Sequence, residues 1–351
     1  MRIRTFSLVL KRIAASASLI IVALCSSGAA PHSPLLSPPL QGGKPVPVDV
    51  GLFINNVISV DESKEMWQLS GELRMEWSDP RLRYHGAPSS LRPYPPDAIW
   101  TPRLHISNTF TPRTSAKVDV FVRPDGQVHY SEVFWASVKT ELDVHRFPFD
   151  TERLPVIFEA LGSDVTNTRL IADPVLSGIN PSDFTRLAQW KFRRLDSGTQ
   201  RIDASGFHPA HTAVNFGLVV SRNAQSFFWK FMVPLVAIVF LSWFAFWMPM
   251  SEYQTKDQLG ISTTTLLTTV AFTLALTTFL PRVSYLTFID GFVLVCFLWV
   301  LCTVVNVYVQ TFLRSRGREA QATRLRRVSA FAMPISFVIA QALLFALARP
   351  I

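Results

Sequence analysis

The sequence predicts two units in series: an exported immunoglobulin-like β-sandwich, then a bundle of four membrane-spanning helices. Three observations carry that reading. The chain opens on a basic, then apolar, then small-residue leader. Residues 48–222 hold short runs rich in Val, Ile, Phe and Trp, each broken by turn residues. After Arg222 come four long stretches without a charged residue.

The leader has Arg2, Arg4, Lys11 and Arg12 ahead of an apolar Ile13 to Leu24, with small residues up to Ala30. Residues 1–30 therefore read as a secretory signal, cut somewhere in Ser26 to Ala30. Its apolar core, about a dozen residues, is too short for a spanning helix. Leu24 before Cys25 disfavours a lipoprotein site, where a small residue is expected. Residues 31–47 hold six prolines with Gly42 and Gly43, the composition of a linker. Of the three cysteines, Cys25 falls in the leader and Cys296 and Cys302 in an apolar helix. The exported unit is expected to have no disulfide, and its stability must come from its core.

Within residues 48–222, Leu52 to Val60 and Met66 to Trp77 predict the first two strands, joined by polar Asp61 to Glu65. Lys117 to Val122 and Val128 to Val138 predict a hairpin about Pro124-Asp125-Gly126. Leu154 to Glu159, Thr168 to Ala172, Leu187 to Leu195 and Ala213 to Ser221 supply the rest. About ten strands with no helices alternating between them argue for a sandwich.

The membrane unit, residues 223–351, is expected to hold helices at about 227–250, 257–280, 286–313 and 327–349. Four spans after an exported domain return the C-terminus to the outside. The third-to-fourth connection then lies inside, where Arg314, Arg316, Arg318, Arg324, Arg326 and Arg327 agree with the positive-inside rule. Topology accounts for that basic run, so no nucleic-acid partner is expected; membrane lipids are.

The second span differs from the others. Threonine stands at 263, 264, 265, 268, 269, 273, 277 and 278. At helical spacing one stripe reads Gly260, Thr264, Leu267, Ala271, Leu274 and Thr278, with Asp257 at its inner end. Such a face suits a water-filled path, although Ser and Thr also join packed membrane helices. Neither a nucleophile–base pair, a phosphate loop nor metal-ligand spacing is seen. No catalytic residue, metal or cofactor is expected, and an enzyme is not indicated. Repeated halves and broken helices, the marks of a transporter, are absent from the pattern as well.

Several motifs resemble those of the pentameric ligand-gated ion channels, the Cys-loop receptor family. Trp77-Ser78-Asp79-Pro80-Arg81-Leu82 is similar to the family's W-x-D-x-R-L, and Trp100-Thr101-Pro102 to its W-x-P, with Arg103 where an acid usually follows. Phe147-Pro148-Phe149-Asp150 resembles the centre of the loop that names the family. Thr140 and Leu154 stand where animal members carry the two cysteines, as in bacterial members. Arg222, Pro234 and the run Leu280-Pro281-Arg282 with Tyr285 and Thr287 extend the likeness, the last closest to the bacterial amine-gated channel.

The resemblance implies a five-fold ring, expected as a homo-pentamer in a bacterial inner membrane with the N-terminal domain outside. It makes the stripe pore-lining: Leu267 and Leu274 as apolar constrictions, and Asp257 as a selectivity ring favouring monovalent cations. Anion selectivity, or a membrane-anchored sensor without conduction, is the alternative. Lys256, next to Asp257, argues for the former. Coupling is expected through Asp61, Glu62, Phe147, Pro148, Phe149, Asp150, Arg222, Pro281 and Tyr285. The agonist site is expected between subunits, near Glu72, Glu159, Leu161, Phe207 and His208. That set is thin in aromatics, so the resemblance implies a small amine held by Glu159, or gating by protons with His145 and the acidic junction.

Overall fold

Alternation of inward and outward side chains shapes the first half of the chain. The computed structural model describes residues 34–40, 42–162, 164–180, 189–206, 209–248, 252–278 and 283–347. One sheet contains β1 (Val46–Asp61), β2 (Met66–Ser78), β3 (Arg92–Pro93) and, after β4 (Leu104–Ile106) of the other sheet, β5 (Thr109–Val122) and β6 (Gln127–Lys139). The order is completed by β7 (Thr151–Ala160) of the second sheet, then β8 (Thr168–Ala172) and β9 (Gly178–Ile179) of the first. Last come β10 (Trp190–Ile202) and β11 (His211–Arg222) of the second. The first sheet runs β3-β5-β6-β2-β1-β8 with β9 also on β1, and the second runs β10-β11-β7-β4.

In β2 every second residue from Trp67 to Trp77 is buried, and in β7 every second residue from Glu152 to Ala160. Two such faces close on one core holding Trp67, Leu69, Leu73, Phe134, Val156, Phe158 and Phe216. Each such side chain contributes roughly 1.5–3 kcal/mol by leaving water. Phe158 meets Phe134 and Phe216 edge to face, at 6.1 Å in both cases. The β5–β6 turn requires Gly126: its φ is +86°, and a Cβ there would lie 2.6 Å from the Asp79 carbonyl.

Several strands run beyond their apolar runs. β1 begins at Val46 because Val46–Val50 pairs in parallel with Thr168–Ala172. β5 begins at Thr109 through a bulged, largely exposed segment paired with β6. β10 continues past Leu195 to Ile202, held by β11 down to His211; Leu187 lies outside the described residues.

Four helices are long and apolar enough to cross a membrane. These are α1 (Gln225–Trp247), α2 (Glu252–Leu276), α3 (Phe288–Ser315) and α4 (Glu319–Leu347). A π-helical turn at Phe228–Met232 lies inside α1, just before Pro234, whose missing N–H disturbs regular bonding. Thr287 caps α3 in a box with Asp290: Asp290 Oδ2 accepts from the Thr287 N–H at 2.9 Å and from its hydroxyl at 2.7 Å.

Two helix starts differ from the sequence expectation. α2 begins at Glu252, not Asp257, so Asp257 sits in the second turn and is not a cap. α4 begins at Glu319, not near 327, so Arg324, Arg326 and Arg327 lie on helix rather than loop. Absence of charge marks only the lipid-facing length, whereas backbone bonding carries a helix past the membrane surface. Glu319 in the first turn favours the helix there, and Arg326 donates to the Met248 carbonyl at 2.7 Å, tying α4 to the end of α1.

Candidate functional site

The four helices share a core of Val239, Trp243, Phe246, Phe292, Cys296, Val300 and Phe337. α2 contributes one side only. Gln258, Ser262, Thr265, Thr269 and Leu276 are buried. Asp257, Gly260, Thr264, Leu267, Ala271, Leu274 and Thr278 are all exposed. The two sets are about 180° apart on the helix. Leu267 and Leu274 keep 69% and 65% of their surface, so nothing within the subunit covers them.

The threonines bond to their own helix. Thr268 donates to the Thr264 carbonyl at 2.7 Å, Thr273 to Thr269 at 2.8 Å and Thr278 to Ala275 at 2.8 Å. Of these three, Thr278 belongs to the uncovered set, Thr268 is exposed beside it and Thr273 is half-buried. Lys256 and Asp257 are both exposed and flank the line of the stripe.

Above the helices the loop after β6 meets the membrane unit. Val144 and Phe147 belong to the helical core, and Phe147 lies edge-on to Phe227 at 4.8 Å. The Phe147–Pro148 bond is cis. Phe149 reaches Phe288 at 5.5 Å and Phe345 at 6.1 Å. The His145 ring stacks on Tyr285 at 3.8 Å, and the Val144 N–H donates to the Tyr285 hydroxyl at 3.3 Å. Beside them Glu62, Glu65, Leu142, Val144, Val283, Ser284 and Tyr285 line a cavity of about 310 Å³.

Arg222, at the end of β11, is buried in this junction. Its Nε and Nη2 donate to Asp150 at 2.8 and 3.0 Å, and its Nη1 pairs with Glu62 at 2.7 Å. The guanidinium also stacks on Phe147 at 4.6 Å and on Trp190 at 4.2 Å. Burial alone would lower the Arg222 pKa, but Asp150 and Glu62 outweigh it and hold it above its ordinary value.

Asp61 corrects the expected cluster. It pairs with Lys64 at 3.0 Å, and that bond holds its carboxyl below its usual value. Successive residues at the end of a strand point to opposite sides, so only Glu62 reaches the arginine. Pro281 lies outside the described residues.

Sequence reasoning missed Trp190 and Glu152. Glu152 is buried at 3% exposure; its Oε2 accepts from the Asp143 N–H at 3.1 Å, and its Oε1 has no partner. The signal was present: Glu152 stands in register with Leu154, Val156 and Phe158 on the inward face of β7.

The expected agonist residues sit on different faces of the subunit. Glu72, on β2, accepts from Arg74 at 2.7 Å and Ser131 at 2.6 Å, and the arginine holds its carboxyl below the ordinary range. Glu159, on β7, lies 3.4 Å from His211 Nε2, while its carbonyl is 3.1 Å from His105 Nδ1. Leu161 is exposed, and Phe207 and His208 lie outside the described residues. His105 and His211 were not foreseen; pairing of β4 with β7 sets His105 opposite Glu159, and pairing of β11 with β7 sets Ala213 there, with His211 two residues along and diagonal to it.

A sandwich carried on four helices, one keeping a polar stripe uncovered, matches two family models in sequence. Residues 22–224 match the neurotransmitter-gated ion-channel ligand binding domain, and residues 231–341 match the neurotransmitter-gated ion-channel transmembrane region. The chain belongs to this family. It is a pentameric ligand-gated ion channel subunit and a multi-pass membrane protein. It is 29% identical to a proton-gated ion channel of Gloeobacter violaceus over 309 residues, 88% of this chain and 84% of that one. It is 28% identical to the human gamma-aminobutyric acid receptor subunit gamma-3 over 273 residues, 76% of this chain but 57% of that subunit. To the rat glycine receptor subunit beta the figure is 26% over 311 residues, 84% of this chain and 60% of that one.

Proposed function

We propose that five copies of this chain form a cation-preferring channel whose path is lined by α2. The observation that carries the reading is the uncovered face of α2: threonine and small residues interrupted by Leu267 and Leu274. A helix facing lipid gains nothing from such a face, whereas an ion path needs one. Arranged around an axis, Leu267 and Leu274 form apolar rings that close the path by dewetting. The hydroxyl oxygens of Thr264 and Thr278 and the Asp257 carboxylates favour cations.

Opening is driven from the outer domain, by a small ligand or by protons. Movement passes through Glu62, Asp150 and Arg222 to Phe147, Phe149 and Tyr285, with Pro281 in the linker that receives it. Likeness to a proton-gated channel favours protons. The half-buried Glu159 with His211 and His105 favours a small amine at the outer site, with Glu72, Leu161, Phe207 and His208 as the other expected contributors. On this reading the protein sits in a bacterial inner membrane, with the N-terminal domain and the C-terminus on the outer side.

Exposed Lys256 favours anions instead, so selectivity is the point to test. Purified protein in a planar bilayer under a KCl gradient, stepped in pH and exposed to small amines, is expected to give current reversing near the potassium potential. Asp257→Asn is expected to move the reversal toward zero. Reversal near the chloride potential, unchanged by that substitution, would overturn the cation reading.

A further inference from the structure

Burial in the outer domain is expensive for a carboxylate unless each oxygen finds a donor. Glu152 meets half of that condition. Its Oε2 takes the Asp143 N–H at 3.1 Å, while Oε1 is buried without a partner. Two acids flank it: Asp143 on the preceding loop and Asp150 two residues earlier. Arg222 also faces it from the end of β11, but that guanidinium is already committed to Asp150 and Glu62. Asp143 is in turn bonded to His145, at 2.6 Å.

We propose that Glu152 is a proton-binding site of the domain junction, its neutral acid being the form this pocket stabilises. A protonated carboxyl carries no charge to leave unsolvated on its lone oxygen and stops repelling Asp143 and Asp150. Burial, then the bond from Asp143 working against it, then repulsion from Asp150 and Asp143 bring the group to about 7, so the site changes charge in mild acid. The consequence is mechanical as well as electrostatic. Asp143 holds His145, whose ring stacks on Tyr285, so a change at Glu152 is three contacts from the linker above α2. The proton site involves no residue of α2, but the link from Glu152 to opening rests on the channel reading above.

The test uses the full chain in lipid nanodiscs. Infrared difference spectra between pH 8 and pH 5.5 are expected to show a protonated-carboxyl band with a midpoint near pH 7. Glu152→Gln is expected to lose that component while still eluting as the wild-type assembly. Asp143→Asn, which keeps an acceptor for His145, is expected to keep the band but move its midpoint to lower pH. A difference spectrum unchanged by Glu152→Gln, or a midpoint below pH 5.5 in the wild type, would overturn the proposal. Currents from the same samples give the second readout: whatever stimulus opens the wild type, Glu152→Gln is expected to flatten its dependence on pH between 6 and 8. A pH dependence kept intact by that variant overturns the link to opening. Failure of every stimulus to give current counts against the channel reading, while the infrared arm still decides the proton site.

Discussion

Two buried glutamates, one in the middle of the sandwich and one at its base, are under nearly the same cover and behave in opposite ways. Glu132, on β6, is 2% exposed, and Glu152, on β7, is 3% exposed. Glu132 accepts from Arg113 Nε and Nη2, both at 2.9 Å, from the Tyr130 hydroxyl at 2.9 Å, and from Ser115. Burial would raise its pKa, yet these donors hold it below the ordinary value. Tyr130 beside it is pushed up instead, by burial and by that carboxylate. Glu152 has one donor and two acidic neighbours, and its carboxyl rises. Depth does not decide the charge of a buried acid; donors do. The middle of the sandwich is built to stay ionised and fixed, the junction to change.

The sharpest way to break the comparison is to make the two sites alike. Arg113→Ala strands the Glu132 carboxylate, and removing one partner of a buried pair costs about 3–5 kcal/mol. Thermal unfolding of the outer domain at pH 7.5 is expected to show that loss, shrinking as pH falls and Glu132 takes up a proton. A variant as stable as the wild type would deny the network its role.

Glu152→Gln should move stability the other way. The folded pKa of Glu152 is raised from 4.5 to about 7, so the native state binds the proton more tightly than the unfolded chain. Stability from this group is fully present below pH 4.5 and lost as pH rises through about 7. A neutral glutamine escapes that loss, which amounts to roughly 3 kcal/mol at 1.36 kcal/mol per unit. The variant is expected to match the wild type at pH 4.5 and exceed it at pH 8. Equal melting at pH 8 would put Glu152 in the same class as Glu132.

A smaller effect is expected at the stack. His145→Ala removes the ring from Tyr285, a contact in the range of about 0.5–1.5 kcal/mol. It should shift the stimulus–response curve severalfold while leaving assembly intact. The smallest effect on stability is expected at the inner mouth, where Lys256→Gln and Asp257→Asn touch exposed positions. Both should fold as the wild type and move the reversal potential in opposite directions.

The sandwich was legible because β2 and β7 write their inward faces in alternate residues, Trp67 to Trp77 and Leu154 to Phe158. The uncovered stripe of α2 was legible because 3.6-residue spacing collects Gly260, Thr264, Leu267, Ala271, Leu274 and Thr278. Segments without an apolar signature were not. Thr109 to Ala116 is polar, and only its pairing with β6 makes it strand. The start of α4 lies among arginines and is fixed by the Arg326–Met248 bond and the acid at Glu319. At the junction the sequence names the charges but not the pairs. Whether Asp61 or Glu62 meets Arg222 depends on which way a strand end points, and the lone oxygen of Glu152 depends on where the loop sets Asp143.

The claim on which the channel reading depends is that the uncovered face of α2 borders water. Single cysteines placed on α2, in a background without Cys296 and Cys302, can be challenged with a charged, membrane-impermeant thiol reagent during current recording. Thr264→Cys, Ala271→Cys and Leu274→Cys are expected to react and block the current when the channel is open. Thr265→Cys and Thr269→Cys, on the buried face, are expected to stay untouched. Reaction on the buried face with none on the stripe would contradict the account.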